Sequence, residues 1–205
     1  DEFVLVPYWT PATLLADPPP PQGSQLLLFR SSTPGVDQSA TTVLEYDAGH
    51  WYDGSTFEVA DDLALGFHEA VLLRNPSGTA HTFSMSGRVP SIPQRMVLRT
   101  LAENTPQDVR FGYLSPVPEA VGSLSLNLRK DDQLLVYDNA QPGSNKSPSK
   151  VLIYDPAQGW LDGDTFEAVN TTFFLQPGIG YTLRLGASAP NFTSIWHDWP
   201  GFLAP

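Results

Sequence analysis

The chain has 205 residues, of which 41% are hydrophobic and 11% aromatic, with no cysteine and a formal net charge of −11. That length can bury a sizeable core, and the missing cysteine excludes disulfides, thiolate metal centres and cysteine nucleophiles. The acidity opposes binding to nucleic acid or anionic lipid, and no apolar run approaches the ~20 residues of a membrane-spanning helix.

Twenty prolines and sixteen glycines interrupt the chain too often for long helices, so the elements read as strands and turns. Residues 1–24 form an extended apolar arm, with Phe3, Val4, Leu5, Val6, Tyr8 and Trp9 ahead of a polyproline tract over 18–21. A first β module covers 25–88. The run Leu26, Leu27, Leu28, Phe29 predicts a strand buried on both faces, and a second strand follows over 42–46. Asp53-Gly54 predicts a tight hairpin turn at positive φ. Strands are expected over 56–59, 70–74 and 82–85, with a short helical stretch over 61–65. Residues 89–118 read as a Pro- and Arg-rich connector, which would clamp acidic modules together or carry solvated charge. A second module covers 119–190, with a short helical stretch over 118–124, strands over 134–137, 151–154, 165–169 and 181–185, and a turn at Asp162-Gly163. A second apolar arm, 191–205, holds Phe192, Trp196, Trp199 and Phe202.

The two modules are copies of one another. Residues 25–47 match 133–155 at a constant shift of 108, through Gln25, Leu26, Leu27, Pro34, Gly35, Ser39, Val43, Leu44, Tyr46 and Asp47. One inserted residue later, Trp51, Asp53, Gly54, Thr56, Phe57 and Glu58 recur as Trp160, Asp162, Gly163, Thr165, Phe166 and Glu167. Each copy is longer than a solenoid unit and can hold a core of its own.

The residue types that carry chemistry are sparse. His50, His68, His81 and His197 show no ligand spacing. There is no Gly-x-Ser-x-Gly elbow and no Gly-rich phosphate loop. Glu58 and Glu167 occupy equivalent strands, read as carboxylates beside a buried Phe, whereas acid–base catalysis needs carboxylates in unequal environments. The chain is therefore expected not to be an enzyme and to need no cofactor, with one alternative: Asp162 and Asp164, near Asp155, resemble part of a calcium loop. Trp51 and Trp160 read in two ways, as core or as a glycan platform in which ring faces meet sugar C–H groups.

Leu134-Leu135-Val136-Tyr137-Asp138-Asn139-Ala140, then Gly143, Asn145-Lys146-Ser147, Tyr154, Gly159-Trp160 and Leu175-Gln176-Pro177-Gly178-Ile179-Gly180-Tyr181 resemble exported, uncharacterised β-rich tandem-repeat proteins of Verrucomicrobia and related bacteria. Copy one departs from that pattern: Phe67-His68-Glu69-Ala70 replaces the Pro-Gly-x-Gly turn, and Gln38 stands where copy two has Lys146. The resemblance implies export and a β-rich repeat, and it carries no catalytic residue.

The expectation is thus an all-β protein of two homologous sandwich- or barrel-like modules with apolar arms at both ends. Its place is expected to be extracellular or at the cell surface, after removal of a signal ahead of Asp1. The leading functional expectation is a structural subunit of a filament, sheath or surface layer, whose arms add to neighbouring copies of the chain. The competing one is a monomeric secreted glycan-binding module.

Overall fold

The computed structural model describes residues 8–30, 32–83, 94–113 and 115–198. It is 36% strand and 4% helix, so the class is all-β, and none of its sheets closes into a barrel. The chain separates into two compact units: Asp1–Arg30 with Ala40–Arg88, and Ser31–Ser39 with Val89–Pro205.

The first unit opens with a one-turn helix, α1 (Pro11–Leu14), where an extended arm was expected. Thr10 and Thr13 cap each other's backbone N–H reciprocally and Pro11 stands at the first turn, a combination that stabilises even a short helix. It is followed by β1 (Gln25–Leu28), β2 (Thr42–Asp47), β3 (His50–Asp53) and β4 (Val71–Arg74), in the spatial order β3-β2-β1-β4, all antiparallel. Strand β1 is apolar from Leu26 onward, and its three leucines are buried. Leu15, Leu26, Leu28, Leu44, Trp51 and Leu65 form the core.

The second unit contains β5 (Gln94–Arg99), β6 (Gln107–Gly112), β7 (Glu119–Ala120), β8 (Gln133–Val136), β9 (Lys150–Asp155), β10 (Gly159–Asp162), β11 (Phe174–Leu175), β12 (Gly180–Leu185) and β13 (Thr193–Asp198). Its main sheet has the order β10-β9-β8-β12-β6, the arrangement of the first unit with one strand added beyond β12. Pairs β11–β7 and β13–β5 complete it. The segment read as a connector therefore supplies β5 and β6, and its alternating residues place Leu98 and Phe111 in the core.

The duplication extends to individual bonds. Asp53 N–H donates to the Glu58 carbonyl and Asp162 N–H to that of Glu167, both at 2.9 Å. The backbone N–H of Trp51 donates to Asp61 Oδ1 at 2.7 Å, and that of Trp160 to Asn170 Oδ1 at 2.8 Å. Single bridges Tyr52–Val59 and Leu161–Ala168 stand where longer strands over 56–59 and 165–169 were expected. The one-residue insertion has a local cause. The β2–β3 hairpin turns on two left-handed residues, Ala48 and Gly49, whereas the β9–β10 hairpin has three loop residues closed by left-handed Gly159.

Residues 61–65 are not helix but a turn at 61–62 leading to the Leu65 bridge, and 121–123 form a single 3₁₀ turn within the stretch expected to be helical. Thr82 and Phe83 are not strand, and residues 84–85 lie outside the described part.

The loop 31–39 follows the copy-one pattern in sequence but belongs to the second unit. There Gly35 bridges Gln107 in parallel, Asp37 N–H donates to Asp108 Oδ2 (2.8 Å), and Arg184 holds both oxygens of Asp108 (2.8 and 3.0 Å) and Asp37 Oδ1 (2.6 Å). Asp108, by hydrogen bond and charge, raises the Arg184 guanidinium pKa further above its ordinary value.

Asp61 and Asn170 hold a backbone N–H that the sheet leaves unpaired beside a buried indole. Asp61→Ala and Asn170→Ala are each expected to lower stability by about 1–3 kcal/mol, the cost of an unsatisfied buried donor. Asp61→Asn, which copy two already carries, should lower it by less; urea unfolding curves of the three variants check the order.

Candidate functional site

The indoles of Trp51 and Trp160 are buried, each against the tyrosine on the neighbouring strand: Tyr46–Trp51 at 5.2 Å and Tyr154–Trp160 at 5.4 Å between ring centroids. A ring enclosed on all sides offers no face to a sugar, so the core reading holds for both and the platform reading is corrected. The aromatic residues that do reach the surface are the next in the repeat. Phe57 is 75% exposed and Phe166 64%, although a buried Phe was expected at both positions.

The cause lies in the Asp-Gly-x-Thr-Phe-Glu turn. The turn is wider than the tight hairpin expected from Asp-Gly, with the Phe57 N–H donating to the Asp53 carbonyl and the Phe166 N–H to that of Asp162. Its left-handed residue is the phenylalanine, with φ of 60° at Phe57 and 57° at Phe166, not the glycine. The glycine is needed for room: a Cβ at Gly54 would lie 3.1 Å from the Val43 carbonyl oxygen, and one at Gly163 2.8 Å from that of Val151. The aspartate secures the turn. Asp53 Oδ1 accepts from the Ser55 hydroxyl (2.5 Å) and from the N–H groups of Ser55 and Thr56, and these bonds lower its pKa. A left-handed phenylalanine costs about 1–2 kcal/mol, and both copies carry it with the ring turned outward.

In copy one this ring lines a groove of about 470 Å³, together with Gln22, Gly23, Glu45, Tyr46, Asp47 and Tyr52. Strand register builds it: Glu45 lies directly opposite Tyr52 on β3, and Gln25 opposite Glu45 on β1. Gln25 Nε2 donates to Glu45 Oε1 at 2.9 Å, which holds the carboxylate in place and leaves its second oxygen available. His50 stacks edge-on to Tyr52 at 6.4 Å and bonds Asp61 Oδ2 at 2.7 Å. Burial pushes the Asp61 carboxyl up, but the bonds from His50 and the Trp51 N–H outweigh it and hold the pKa low.

Copy two has the same frame with other side chains. Lys130, Ile153 and Leu161 replace Gln22, Glu45 and Tyr52, and Leu161 is buried. A separate groove of about 550 Å³ in the second unit is lined by Tyr137, Asp138, Phe173, Phe174, Gln176 and Tyr181, among others. Two of its polar groups are already engaged: Tyr181 Oη accepts from Gln176 N–H (2.7 Å) and Asp138 Oδ1 from Ala140 N–H (2.8 Å).

Of the candidate calcium residues, Asp162 has both carboxylate oxygens engaged, and Asp164 donates its backbone N–H to it. Asp162 Oδ1 accepts from the N–H groups of Asp164 and Thr165, and Oδ2 pairs with Lys150 Nζ; Lys150 foremost lowers its pKa. Among the described residues no three His, Asp or Glu side chains gather as a metal site.

The arms fold onto their own chain wherever they are described. Trp196 lies buried in the second unit's core, and Phe192 packs against it with the Arg129 guanidinium 4.2 Å from its ring. Trp9 bridges Leu65, and Tyr8 lies 6.1 Å from Phe67. The expectation that Trp196 and Phe192 insert into a neighbour is corrected: Trp196 lies within β13 and Phe192 directly precedes it, and that strand already has a partner in β5. Phe3, Val4, Leu5, Val6, Trp199 and Phe202 lie outside the described residues.

Comparison of the chain with protein-family models, curated proteins and solved structures returns no match.

Phe57→Asn is expected to leave the melting temperature unchanged or raise it, because asparagine tolerates the left-handed region that phenylalanine does not; a thermal scan decides. Asp53, Asp61 and Asp162 all have lowered folded-state pKa values. On acidification the unfolded chain takes up protons first, so their contribution is complete at neutral pH and is lost as pH falls below about 4 through the folded values. Asp53→Asn with Asp162→Asn should therefore lose less stability than the parent between pH 7 and pH 3, measured as urea midpoints.

Proposed function

We propose that the chain is a secreted, non-catalytic binding module for neutral glycans, and that the first-unit groove is its site. The observation that carries the reading is Phe57, an exposed aromatic ring fixed in an unfavourable backbone conformation beside Tyr46, Tyr52, Glu45 and Asp47. Aromatic faces take sugar C–H surfaces, and carboxylates with an amide such as Gln22 accept and donate to hydroxyls. Among the described residues neither the Asp47 carboxylate nor the Tyr52 hydroxyl hydrogen-bonds within the chain, so both are available to a ligand. Among the described residues the groove's lining holds no Lys or Arg, so sulfated or uronic polymers are repelled and neutral ones favoured.

Affinity electrophoresis against soluble neutral polysaccharides tests the proposal. At least one polymer should retard the protein, and Phe57→Ser and Tyr52→Ala should each weaken that binding roughly tenfold or more, in the range of a lost stacking contact. Retardation by none of them, or binding untouched by both substitutions, refutes the reading.

A further inference from the structure

The β5–β13 ribbon turns one face to the second unit's core and the other to solvent. Leu98, Ser194 and Trp196 point inward and are buried. The outward face pairs Arg99 with Thr193, Val97 with Ile195, and Arg95 with His197 across the two strands. Val97 is 55% exposed and Ile195 49%, so the ribbon presents an apolar centre between two arginines. Arg30, Arg129, Lys150 and Arg184 each face a carboxylate; Arg95 and Arg99 face none among the described residues. A basic and apolar surface on a chain of net charge −11 is complementary to that chain's own prevailing charge.

The counterpart is in the same unit. Phe166 keeps the exposed, left-handed conformation of Phe57, yet the positions that line the copy-one groove are Ile153 and buried Leu161 here. In sequence Phe166 lies between Asp164 and Glu167, and all three are exposed. An aromatic ring flanked by carboxylates and an aliphatic pair flanked by arginines match in polarity and in layout, with an apolar centre and a charged rim on each side. The turn's own hydrogen bonds fix the phenylalanine in advance, so docking orders nothing further there.

We propose that the β5–β13 ribbon of one molecule docks on the Phe166 turn of a second copy, so that the chain self-associates through these two surfaces of its second unit. Val97 and Ile195 cover the Phe166 ring, while Arg95 and Arg99 meet Asp164 and Glu167. The contact is heterologous in its parts, a ribbon against a turn, and it is independent of the groove around Phe57.

Sedimentation velocity on the full chain over a concentration series, at low and high salt, tests it. The parent should associate, and salt should weaken the association. Arg95→Glu with Arg99→Glu, and separately Asp164→Lys with Glu167→Lys, should each weaken it roughly tenfold or more. Mixing the two charge-reversed proteins should restore a complex, because the unaltered ribbon of the second meets the unaltered turn of the first, and the acidic ribbon of the first meets the basic turn of the second. That rescue is not available to a variant that merely misfolds. A parent monomeric at all concentrations, association indifferent to both reversals, or absence of rescue would overturn the proposal. So would a monomeric parent whose Arg95 and Arg99 instead bind heparin, which would assign the ribbon to an anionic polymer. Glycan retardation measured on the same variants should be unchanged, so the two readings fail separately.

Discussion

The structure depends on one hydrogen bond made twice: a tryptophan backbone N–H held by the side-chain oxygen of the residue ten positions later, Asp61 or Asn170. The main strands are only four to six residues long, so much of the backbone lies where no ladder can satisfy it, and side chains must do so. This bond lets the tryptophan enter the core without an unpaired donor. The tryptophan carbonyl then accepts the N–H of Ala60 or Val169, which closes the intervening segment into a rigid turn. Packing of the indole and closure of the segment that carries the phenylalanine follow from that one constraint.

On this shared frame the copies have diverged by substitution rather than by rearrangement. Glu45 and Tyr52 make an open, polar groove in copy one, and Ile153 and Leu161 fill the same place in copy two. The loops after the first strand of each copy show the same separation of frame from use. Gln38 Nε2 and Lys146 Nζ both donate to the carbonyl at the matching position of their loops, Thr33 and Gln141, and Asp37 and Asn145 share a φ of 53°. The loop shape is thus set locally, while only the copy-one loop carries the aspartate that Arg184 grips.

The repeat and the all-β class were legible because apolar strand positions, Asp-Gly pairs and tryptophans recur at fixed spacing. Asp61 and Asn170 were also within reach, since they align at the shift that relates Trp51 to Trp160, and both side chains offer the needed oxygen. The exposure of Phe57 was not legible. A phenylalanine beside a strand has the composition of a core residue, and only the bond that places it in the left-handed region turns it outward. Arg95 and Arg99 were read as linker charge, because proline-rich surroundings mask the short apolar run Met96, Val97 and Leu98, whose alternation is one of burial and not of residue type. The helix at Pro11–Leu14 was missed because its signal is a reciprocal pair of threonines rather than a periodicity.

The loop 31–39 makes the order of synthesis matter. Asp37 leaves the ribosome 71 residues before Asp108 and 147 before Arg184, the residues that fix it. Strands β1 and β2 can pair as soon as they emerge, but the segment joining them stays unanchored until Asp108 and Arg184 have been made. A nascent chain halted near residue 90 would thus carry a paired first sheet with an unprotected acidic loop. Protection of that loop from proteases would report completion of the second unit rather than of the strands it connects.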